Sequence, residues 1–306
     1  MKVLALISAL LLTYYRPVIE QNWLQGIYGP YANFLDRTFN GGTRQHGIIA
    51  WCLGVVLPVL VLAVAYGLAI LLIGYFAAFL ISLVVLYFAL RFSYFGQHAE
   101  KIGANLKDQN IPPARQLLAE WENTETDHYT ANQIASVCIE TTLKRAHQGM
   151  FGPIFWFALL GPAGALLYRL AHILQTEWAS PAQNNDFYQC SQRAFFYLDW
   201  LPARVTAAGF AVVGDFEDAA YCWRTQANNW PDKSLGMVLA SGTGAMGVKL
   251  VDALPSHGIL QARPDIGLGD DADADYVQAA VGLVWRVLLL MVGLLILLTF
   301  AHWLGV

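Results

Sequence analysis

The densest group of titratable side chains lies around position 145. Glu140 and Lys144 are four positions apart, so on a helix they share one face and form an ion pair. Arg145 and His147 follow at once, just before an apolar segment. Such a group can line a polar site at a membrane surface. The sequence favours a plainer interpretation, a surface ion pair beside cations that attract anionic lipid.

A second group stands inside a mostly apolar segment and consists of Asp199, Arg204 and Asp215. A carboxylate close to an arginine can bind a polar or anionic ligand. Alternatively, the charges form a structural ion pair, with Arg204 extending its charged end to the membrane interface. Ionisable residues within membrane segments are costly, so they are candidates for function in either case.

The run GTGAMG at 242–247 has the spacing of a dinucleotide-binding turn. Asp265 stands 21 residues past Gly244, but no βαβ pattern surrounds the motif. A phosphate loop is also a poor match, because Val248 displaces Lys249 from the lysine position. The run therefore predicts small residues that let segments pack closely.

An acidic run before the last apolar segment has oxygen ligands that suit a divalent cation. Its members are Asp265, Asp270, Asp271, Asp273 and Asp275. Their spacing does not match a calcium-binding loop, and a linker whose acids stabilise the N-terminus of the last helix is favoured. The four cysteines and seven histidines form no metal-binding pattern, so no metal site is predicted.

Composition places these groups in a membrane protein. Hydrophobic residues make up 57% of the 306 residues and charged residues 13%, whereas soluble domains have about 45–50% and about 25%. High hydrophobicity excludes a disordered chain. A net charge of −4 leaves no basic surface for nucleic acid.

The apolar segments predict an all-α, polytopic transmembrane protein with about 4–6 membrane segments. Residues 47–90 contain no charged side chain, which is enough for two spans and a short turn. Residues 1–15 resemble a signal peptide but lack a cleavage site, and an uncleaved anchor is expected. The predicted segments are 48–68, 70–90, the less regular 150–174 and 195–216, and one that starts at Val277.

The positive-inside rule gives the expected organisation, because the loops rich in Lys and Arg belong in the cytoplasm. Five regions follow in order: an N-terminal anchor with a transmembrane hairpin at 1–91, a cytoplasmic helical region at 92–149, two Pro- and Gly-containing membrane segments at 150–216, a cytoplasmic Gly-rich and acidic region at 217–276, and a C-terminal transmembrane helix at 277–306.

Several short motifs, taken in their order, resemble the CobD/CbiB membrane family of cobalamin biosynthesis and its relative AmpE. They are Gly149, Gly152–Trp156, Gly161–Ala165, Leu167–Arg169, Trp200–Arg204, Trp230–Pro231 and Gly244–Val248. The resemblance implies a bacterial inner-membrane protein. CobD/CbiB proteins are adenosylcobinamide-phosphate synthases, which use ATP and magnesium to join cobyric acid to an aminopropanol compound through an amide bond. AmpE is regarded as a membrane modulator of β-lactamase induction.

This chain departs from the synthases mainly at their acidic residues. The stretch 14–18 lacks their Asp and His, and Lys144 and Arg145 stand within their acidic pattern. Their Asn and Asp after the Leu-Tyr-Lys/Arg run are here His172 and Gln175. A site with cations in place of carboxylates binds anions but holds Mg²⁺ poorly. The candidate ligand-binding residues are Glu140, Lys144, Arg145, His147, Arg169, His172, Asp199, Arg204 and Asp215.

These departures favour a diverged, AmpE-like member with a regulatory or ligand-binding role. Its expected partners are the lipid bilayer and a corrinoid or other amphiphilic ligand, with no nucleic acid. The alternative is an active synthase of cobalamin biosynthesis. No cofactor is expected for the first interpretation, and ATP and Mg²⁺ only for the second. A transporter is less favoured, since the two halves show no paired repeats.

Overall fold

A computed structural model describes residues 2–15, 23–90, 92–179, 185–256 and 259–304. The described chain is largely α-helical, which confirms the predicted fold class, and its strands are short. Most of the stretch 14–18, compared above with the synthases, lies outside the described residues. The α-helices are α1 (Lys2–Tyr15), α2 (Trp23–Phe39), α3 (Arg44–Trp51), α4 (Leu57–Leu72), α5 (Tyr75–Ala89), α6 (Phe92–Lys107), α7 (Ile111–Glu122), α8 (Ala131–Ala146), α9 (Gly152–Leu160), α10 (Pro162–Glu177), α11 (Asp186–Val213), α12 (Phe216–Gln226), α13 (Lys233–Met246) and α14 (Ala274–Trp303).

The described residues also form four short strands. They are β1 (Val248–Lys249), β2 (Ala253–Ser256), β3 (Ile259–Ala262) and β4 (Asp270–Asp271). β2 and β3 form an antiparallel hairpin, and β1 pairs with β4 in parallel. The acidic region 217–276 therefore contains strands as well as helices.

The chain folds into two compact units, each built from separate stretches of sequence. Unit 1 comprises Met1–Phe92 and Gln148–Pro202, and unit 2 comprises Ser93–His147 and Ala203–Val306. The division falls within α11. The five regions expected from the sequence stay a prediction.

In unit 1, α10 is the central helix and packs against α2, α4, α5 and α9. It starts at a sharp break in the chain, where Gly161 has a positive φ of 67° that favours glycine. Pro162 follows as the first residue of α10, a position where its missing N–H costs nothing. The segment 150–174 is therefore not one continuous helix. Its first helix, α9, follows α8 directly through a π-helical turn at His147–Phe151, and whether the segment crosses a membrane stays a prediction.

The charge-free hairpin of unit 1 contains a proline that the fold accommodates. A π-helical turn at Cys52–Val56 joins α3 to α4, and Pro58 follows in the first turn of α4. Since Pro58 has no N–H, the carbonyl of Gly54 four positions earlier lacks its usual helical donor. The Tyr28 hydroxyl donates to that carbonyl at 2.7 Å. A buried carbonyl is thus satisfied in an apolar helix.

In the part of the chain that the structure describes, two helices are long and apolar enough to cross a membrane. They span Arg44–Leu72 and Ala274–Ala301, and the apolar helices α1 and α5 are shorter. In the most apolar part of each long helix only 11% and 33% of the residues are buried. A core helix of a soluble protein is mostly buried, so these exposed apolar surfaces indicate a membrane protein.

In unit 2, α13 is buried on nearly all sides and packs against α8, α12 and α14. The side chain of Asp232 starts it by accepting hydrogen bonds from the N–H groups of Ser234 and Leu235. The helix carries few bulky polar groups, which fits its place at the centre of the unit.

Candidate functional site

Glu140 of α8 forms an ion pair with Arg263, which follows β3. The two side chains are only 15% and 18% exposed. The Arg263 guanidinium also lies over the ring of Trp230, 5.1 Å from its centroid. The surface pair of Glu140 with Lys144, predicted from their spacing, is therefore wrong. The fold brings Glu140 a planar, stacked guanidinium from 123 positions away, and Glu140 pairs with that group.

One face of α8 positions this pair. The helix begins with a capping box, in which Thr130 and Gln133 satisfy each other's backbone N–H groups. Further along the same face, Ser136 accepts a hydrogen bond from Val251 N–H at 2.8 Å, and Glu140 reaches Arg263. α8 therefore holds the chain on both sides of the β2–β3 hairpin.

A cavity of about 720 Å³ lies beside the Glu140–Arg263 pair. This is within the usual range of small-molecule sites, about 300–1,000 Å³. Its lining residues are Asn123, Thr124, Glu125, Asp127, His128, Tyr129, Leu254, Pro255, Gln261, Ala262 and Arg263. Cationic, acidic, neutral polar and apolar groups all face it, so the cavity suits a small ligand with more than one kind of polar group.

The buried Tyr129 stands between the cavity and the ion pair. Burial raises the pKa of its phenol, Arg263 opposes the rise and Glu140 adds to it. Tyr129 is therefore a neutral hydroxyl at physiological pH, able to donate one hydrogen bond and to accept others. Its carbonyl accepts a hydrogen bond from Arg115, which holds the segment in place.

Arg145, another candidate from the sequence, is engaged within unit 2. It donates to Glu122 at 3.0 Å and to the carbonyl of Trp121, and it lies 5.1 Å from the centroid of the Trp121 ring. His98 stacks on the same indole at 5.7 Å. These contacts tie α6, α7 and α8 together, which is a structural role.

In unit 1, Asp199 accepts a hydrogen bond of 2.7 Å from the Tyr168 hydroxyl, and both residues are buried. Gly152 makes room for this tyrosine, because a Cβ there would lie 2.3 Å from Tyr168 Cζ. A carboxylate buried in apolar surroundings needs such a donor. The structure thus gives Asp199 a partner on α10 that its neighbours in sequence do not predict.

Arg169 and His172 lie one turn apart on α10 and share a polar chain. Arg169 Nη1 is 3.5 Å from His172 Nδ1, and His172 Nε2 is 3.2 Å from Gln148 Oε1. An arginine only donates and an amide oxygen only accepts, so the chain assigns the imidazole proton to Nε2. The structure thus brings these two candidates into contact.

Three further candidates lie apart from these groups. His147 is buried in unit 2 and its Nδ1 is 3.0 Å from the Thr206 hydroxyl. Asp215 starts α12 by accepting from the N–H of Asp218 at 3.0 Å, so it does not join Asp199. Arg204 is half-buried on α11. The nine candidates are divided between the two units, and their roles in binding stay predictions.

The GTGAMG run is packed backbone, as the sequence predicts. Most of it belongs to α13 and is not a loop. A Cβ on Gly244 would lie 2.6 Å from the carbonyl oxygen of Asp218, and one on Gly242 would lie 2.8 Å from Leu143 Cδ1. The run therefore brings α12 and α8 close to α13.

The acidic run agrees with the plainer of its two interpretations, a linker whose acids stabilise the start of the last helix. Asp273 accepts from the N–H groups of Asp275 and Tyr276 at 2.9 and 3.0 Å and so starts α14. Asp265 pairs with Lys249 at 3.3 Å, and Asp275 pairs with Lys107 at 3.2 Å. The acids are distributed among separate partners.

Magnesium, which the family resemblance implies for a synthase, does not fit the described residues. Within 2–15, 23–90, 92–179, 185–256 and 259–304, no three His, Cys, Asp or Glu side chains are grouped as metal ligands. Glu125 and Asp127 line the cavity, but among the described residues no third such side chain joins them as a metal ligand. Glu140 and Glu122 each face an arginine. A guanidinium occupies the space and charge that a cation would need.

We expect Tyr168→Phe to destabilise the protein by about 1–3 kcal/mol, because Asp199 would lose a donor while staying buried. Thermal unfolding of the purified protein in detergent measures the change. Tyr197→Phe is the matched control, since Tyr197 is 73% exposed on the same helix as Asp199. Equal melting temperatures for the two variants would show that the Tyr168–Asp199 bond contributes nothing.

Arg263 and Tyr168 contribute to these sites but were missed as candidates. Arg263 is 123 residues from Glu140, so no local spacing signals their contact. The family motifs offered one signal for both residues. They include Tyr168 itself and Trp230, over whose ring Arg263 lies.

Comparisons with known proteins agree on one family. The CobD/Cbib protein family matches residues 15–284. The cobalamin biosynthesis protein CobD of Stutzerimonas stutzeri is 36% identical over 283 residues, 90% of each chain. The protein of the same name from Chromobacterium violaceum is 32% identical and covers 68% of this chain and 67% of its own. A probable cobalamin biosynthesis protein CobD of Methanothermobacter thermautotrophicus is 29% identical, covering 50% of this chain and 53% of its own.

No solved structure gives a significant match. The relatives carry the cobalamin name and lend no support to the AmpE-like branch. A family match across most of the chain and an identity above one third over nine-tenths of it lead to one conclusion: this chain belongs to the CobD/CbiB family.

Proposed function

We propose that this protein acts in cobalamin biosynthesis as an adenosylcobinamide-phosphate synthase, forming the amide bond between cobyric acid and aminopropanol or its phosphate. The observation that carries the proposal is the 36% identity to a cobalamin biosynthesis protein over 90% of both chains. This reverses the order of the two functions favoured by the sequence, because the relatives support the synthase and not the AmpE-like regulator.

We place the protein in the bacterial inner membrane with several crossings. The exposed apolar surfaces of the two long helices support this location. A corrinoid is a large amphiphile, and a membrane protein offers it an apolar surface next to polar groups. The lipid bilayer and the corrinoid are therefore the partners that the proposal names.

The cavity at Arg263 is the place we assign to the smaller substrate. Arg263 and Tyr129 supply donors for a phosphate or hydroxyl group, and Glu125 and Asp127 supply acceptors for an ammonium group. Glu140 orients the guanidinium through their ion pair. Since the described carboxylates do not form a magnesium site, no step of the proposal passes through the metal.

A feeding experiment tests the function. A bacterial strain that lacks this protein and depends on cobalamin is grown with cobyric acid or with cobinamide. We expect growth on cobinamide and none on cobyric acid, with growth on cobyric acid restored by the intact chain. Growth on cobyric acid without the protein would overturn the proposal. A β-lactamase phenotype in its place would then favour the regulatory role.

The assigned cavity is tested with Tyr129→Phe, which removes one hydroxyl and keeps the ring. In membranes supplied with cobyric acid, aminopropanol phosphate, ATP and magnesium, we expect the variant to raise the KM for aminopropanol phosphate about tenfold, the loss of one good hydrogen bond. Tyr276→Phe is the matched control, because its hydroxyl bonds to Asp270, away from the cavity lining. An unchanged KM would remove the cavity from the proposal and leave the feeding result standing.

A further inference from the structure

The cavity at Arg263 has two walls that come from distant parts of the sequence. Residues 123–129, which precede α8, form the loop wall. The hairpin wall is formed by the lining residues in and directly after the β2–β3 hairpin, which are Leu254, Pro255, Gln261, Ala262 and Arg263. The loop wall carries Tyr129 and the hairpin wall carries Arg263, the two donors assigned above to the smaller substrate. A ligand binds well to both donors only where the spacing between the walls is fixed.

α7 holds the loop wall in place. Arg115 Nε donates to the carbonyl of Tyr129 at 2.8 Å, and the Thr126 hydroxyl donates to the carbonyl of Arg115 at 2.8 Å. Within the wall, the N–H of Tyr129 donates to the carbonyl of Thr126 at 2.9 Å. Thr126 and Tyr129 are both buried, so water competes little for these hydrogen bonds. The loop wall is therefore a fixed reference, and the hairpin wall has to be placed against it.

The side chain of Gln133, in the first turn of α8, joins the two walls. Its Oε1 accepts a hydrogen bond of 2.9 Å from the N–H of Thr130, the residue after Tyr129. Its Nε2 donates to the carbonyl of Ala253, the residue before Leu254, at 3.4 Å. One planar amide thus bonds next to the end of the loop wall and next to the start of the hairpin wall. Gln133 itself does not line the cavity, so it acts on a ligand through the walls.

The capping box of α8 uses only half of this amide. It requires an acceptor for the N–H of Thr130, and Glu or Gln supplies one. A glutamate would also gain from the positive end of the helix. The capping box therefore gives no reason for the NH₂ group of Gln133, whereas the bond to Ala253 requires it. Gln133 and Ala253 are both half-buried, so water replaces this bond only in part.

The base of the hairpin is held by other residues on the same face of α8. Ser136 accepts from the N–H of Val251, and Glu140 pairs with Arg263. The N–H of Arg263 donates to the carbonyl of Asp252 at 2.6 Å and closes the base. We therefore expect the hairpin to stay folded when Gln133 is changed, while the spacing between the two walls is no longer fixed.

We propose that Gln133 is a positioning residue, which sets the spacing between the loop wall and the hairpin wall and so between Tyr129 and Arg263. This role rests on the proposed function, in which the two donors bind the phosphate or hydroxyl group of the smaller substrate. Walls that are already at the correct spacing spare the ligand the cost of ordering them when it binds.

Gln133→Glu tests the role with a small change. Glutamate keeps an acceptor for Thr130 and places a carboxylate oxygen, which only accepts, against the carbonyl of Ala253. In membranes supplied with cobyric acid, aminopropanol phosphate, ATP and magnesium, we expect the KM for aminopropanol phosphate to rise about tenfold, with little change in kcat or in the melting temperature. Gln116→Glu is the matched control and is expected to leave KM unchanged, because Gln116 is exposed on α7 and bonds to Glu120.

Thr130→Ala separates helix capping from positioning. The substitution removes the hydroxyl that caps α8 but keeps the N–H that bonds to Gln133. We expect a lower melting temperature and an unchanged KM, the reverse of the result for Gln133→Glu. If Gln133 only capped the helix, both variants would lower the melting temperature and neither would change KM, and that outcome would overturn the positioning role.

Spin labels measure the wall spacing without reference to the reaction. Thr124 of the loop wall and Leu260 of β3 are both exposed. The labels are attached after Thr124→Cys and Leu260→Cys in the full chain in detergent, with the more accessible thiols Cys52 and Cys190 replaced by serine. We expect a narrow distribution of distances between the two labels, and a broader one when Gln133→Glu is added.

The two measurements distinguish failure of the positioning role from failure of the proposed function. An unchanged distance distribution with Gln133→Glu would overturn the role of Gln133, and so would a broader distribution with an unchanged KM. If the intact chain forms no amide, the proposed function fails, and the distance distributions alone decide whether Gln133 sets the wall spacing.

Discussion

Replacing Arg263 with alanine is expected to lower the free energy of unfolding by about 3 kcal/mol. The substitution leaves Glu140 as a carboxylate that is only 15% exposed and has lost its counter-ion. It also removes the guanidinium from the ring of Trp230. Thermal or urea unfolding of the purified protein in detergent measures the change, and we expect the melting temperature to fall by several degrees.

Two further variants separate the ion pair from other effects of Arg263. Adding Glu140→Gln to Arg263→Ala removes the stranded charge, so the double variant is expected to regain part of the lost stability. Lys107→Ala is the matched control for an exposed pair. Lys107 and Asp275 are 67% and 77% exposed, and breaking such a pair costs less than about 1 kcal/mol. An Arg263→Ala variant as stable as Lys107→Ala would refute the structural importance of the pair.

Gly244→Val is expected to be the second severe substitution, with a loss of about 3 kcal/mol or failure to accumulate. The new Cβ would lie 2.6 Å from the carbonyl oxygen of Asp218 and 2.9 Å from Ala219 Cα. Both are backbone atoms of α12, so no side chain can rotate to relieve the clash. α12 would have to move away from α13, its main packing partner.

Gly282→Val tests whether any glycine-to-valine change in a helix has this effect. Gly282 lies in α14, and no atom lies within 4 Å of its added Cβ. We expect near-normal abundance and melting temperature for this variant. The comparison also distinguishes packing from nucleotide binding at the GTGAMG run. A Gly244→Val protein that folds normally but loses nucleotide binding would show that the run is a phosphate site.

The sequence predicted the class of fold because helical membrane segments depend on local composition. The charge-free stretch 47–90 and the apolar C-terminus both became helices, with a turn at Ile73–Gly74 in the first. The sequence predicted the helices less well where a glycine and a proline interrupt the apolar pattern. Residues 150–174 have the composition of one span, but the backbone conformation at Gly161 divides them into two helices.

The candidate site was predicted least well, because its contacts join distant parts of the chain. Spacing on one helix explains why Arg169 and His172 contact each other through one turn of α10, a contact that was not predicted. An argument from spacing wrongly paired Glu140 with Lys144. An ion pair across one turn is weak, and a guanidinium delivered by the β2–β3 hairpin displaces it.

By itself, the sequence predicted an all-α fold, indicated a membrane protein and pointed to the CobD/CbiB family. Hydropathy and helical periodicity depend on residues that are neighbours in sequence, and family motifs are short stretches of sequence. Only the tertiary structure decided which charges meet. It turned Asp199 inward to Tyr168, joined Glu140 to Arg263 and placed Arg286 at the end of α11. Each of these pairings gives a charged group or a carbonyl a hydrogen-bond or ion-pair partner, and that requirement can be met by any residue that folding brings within reach.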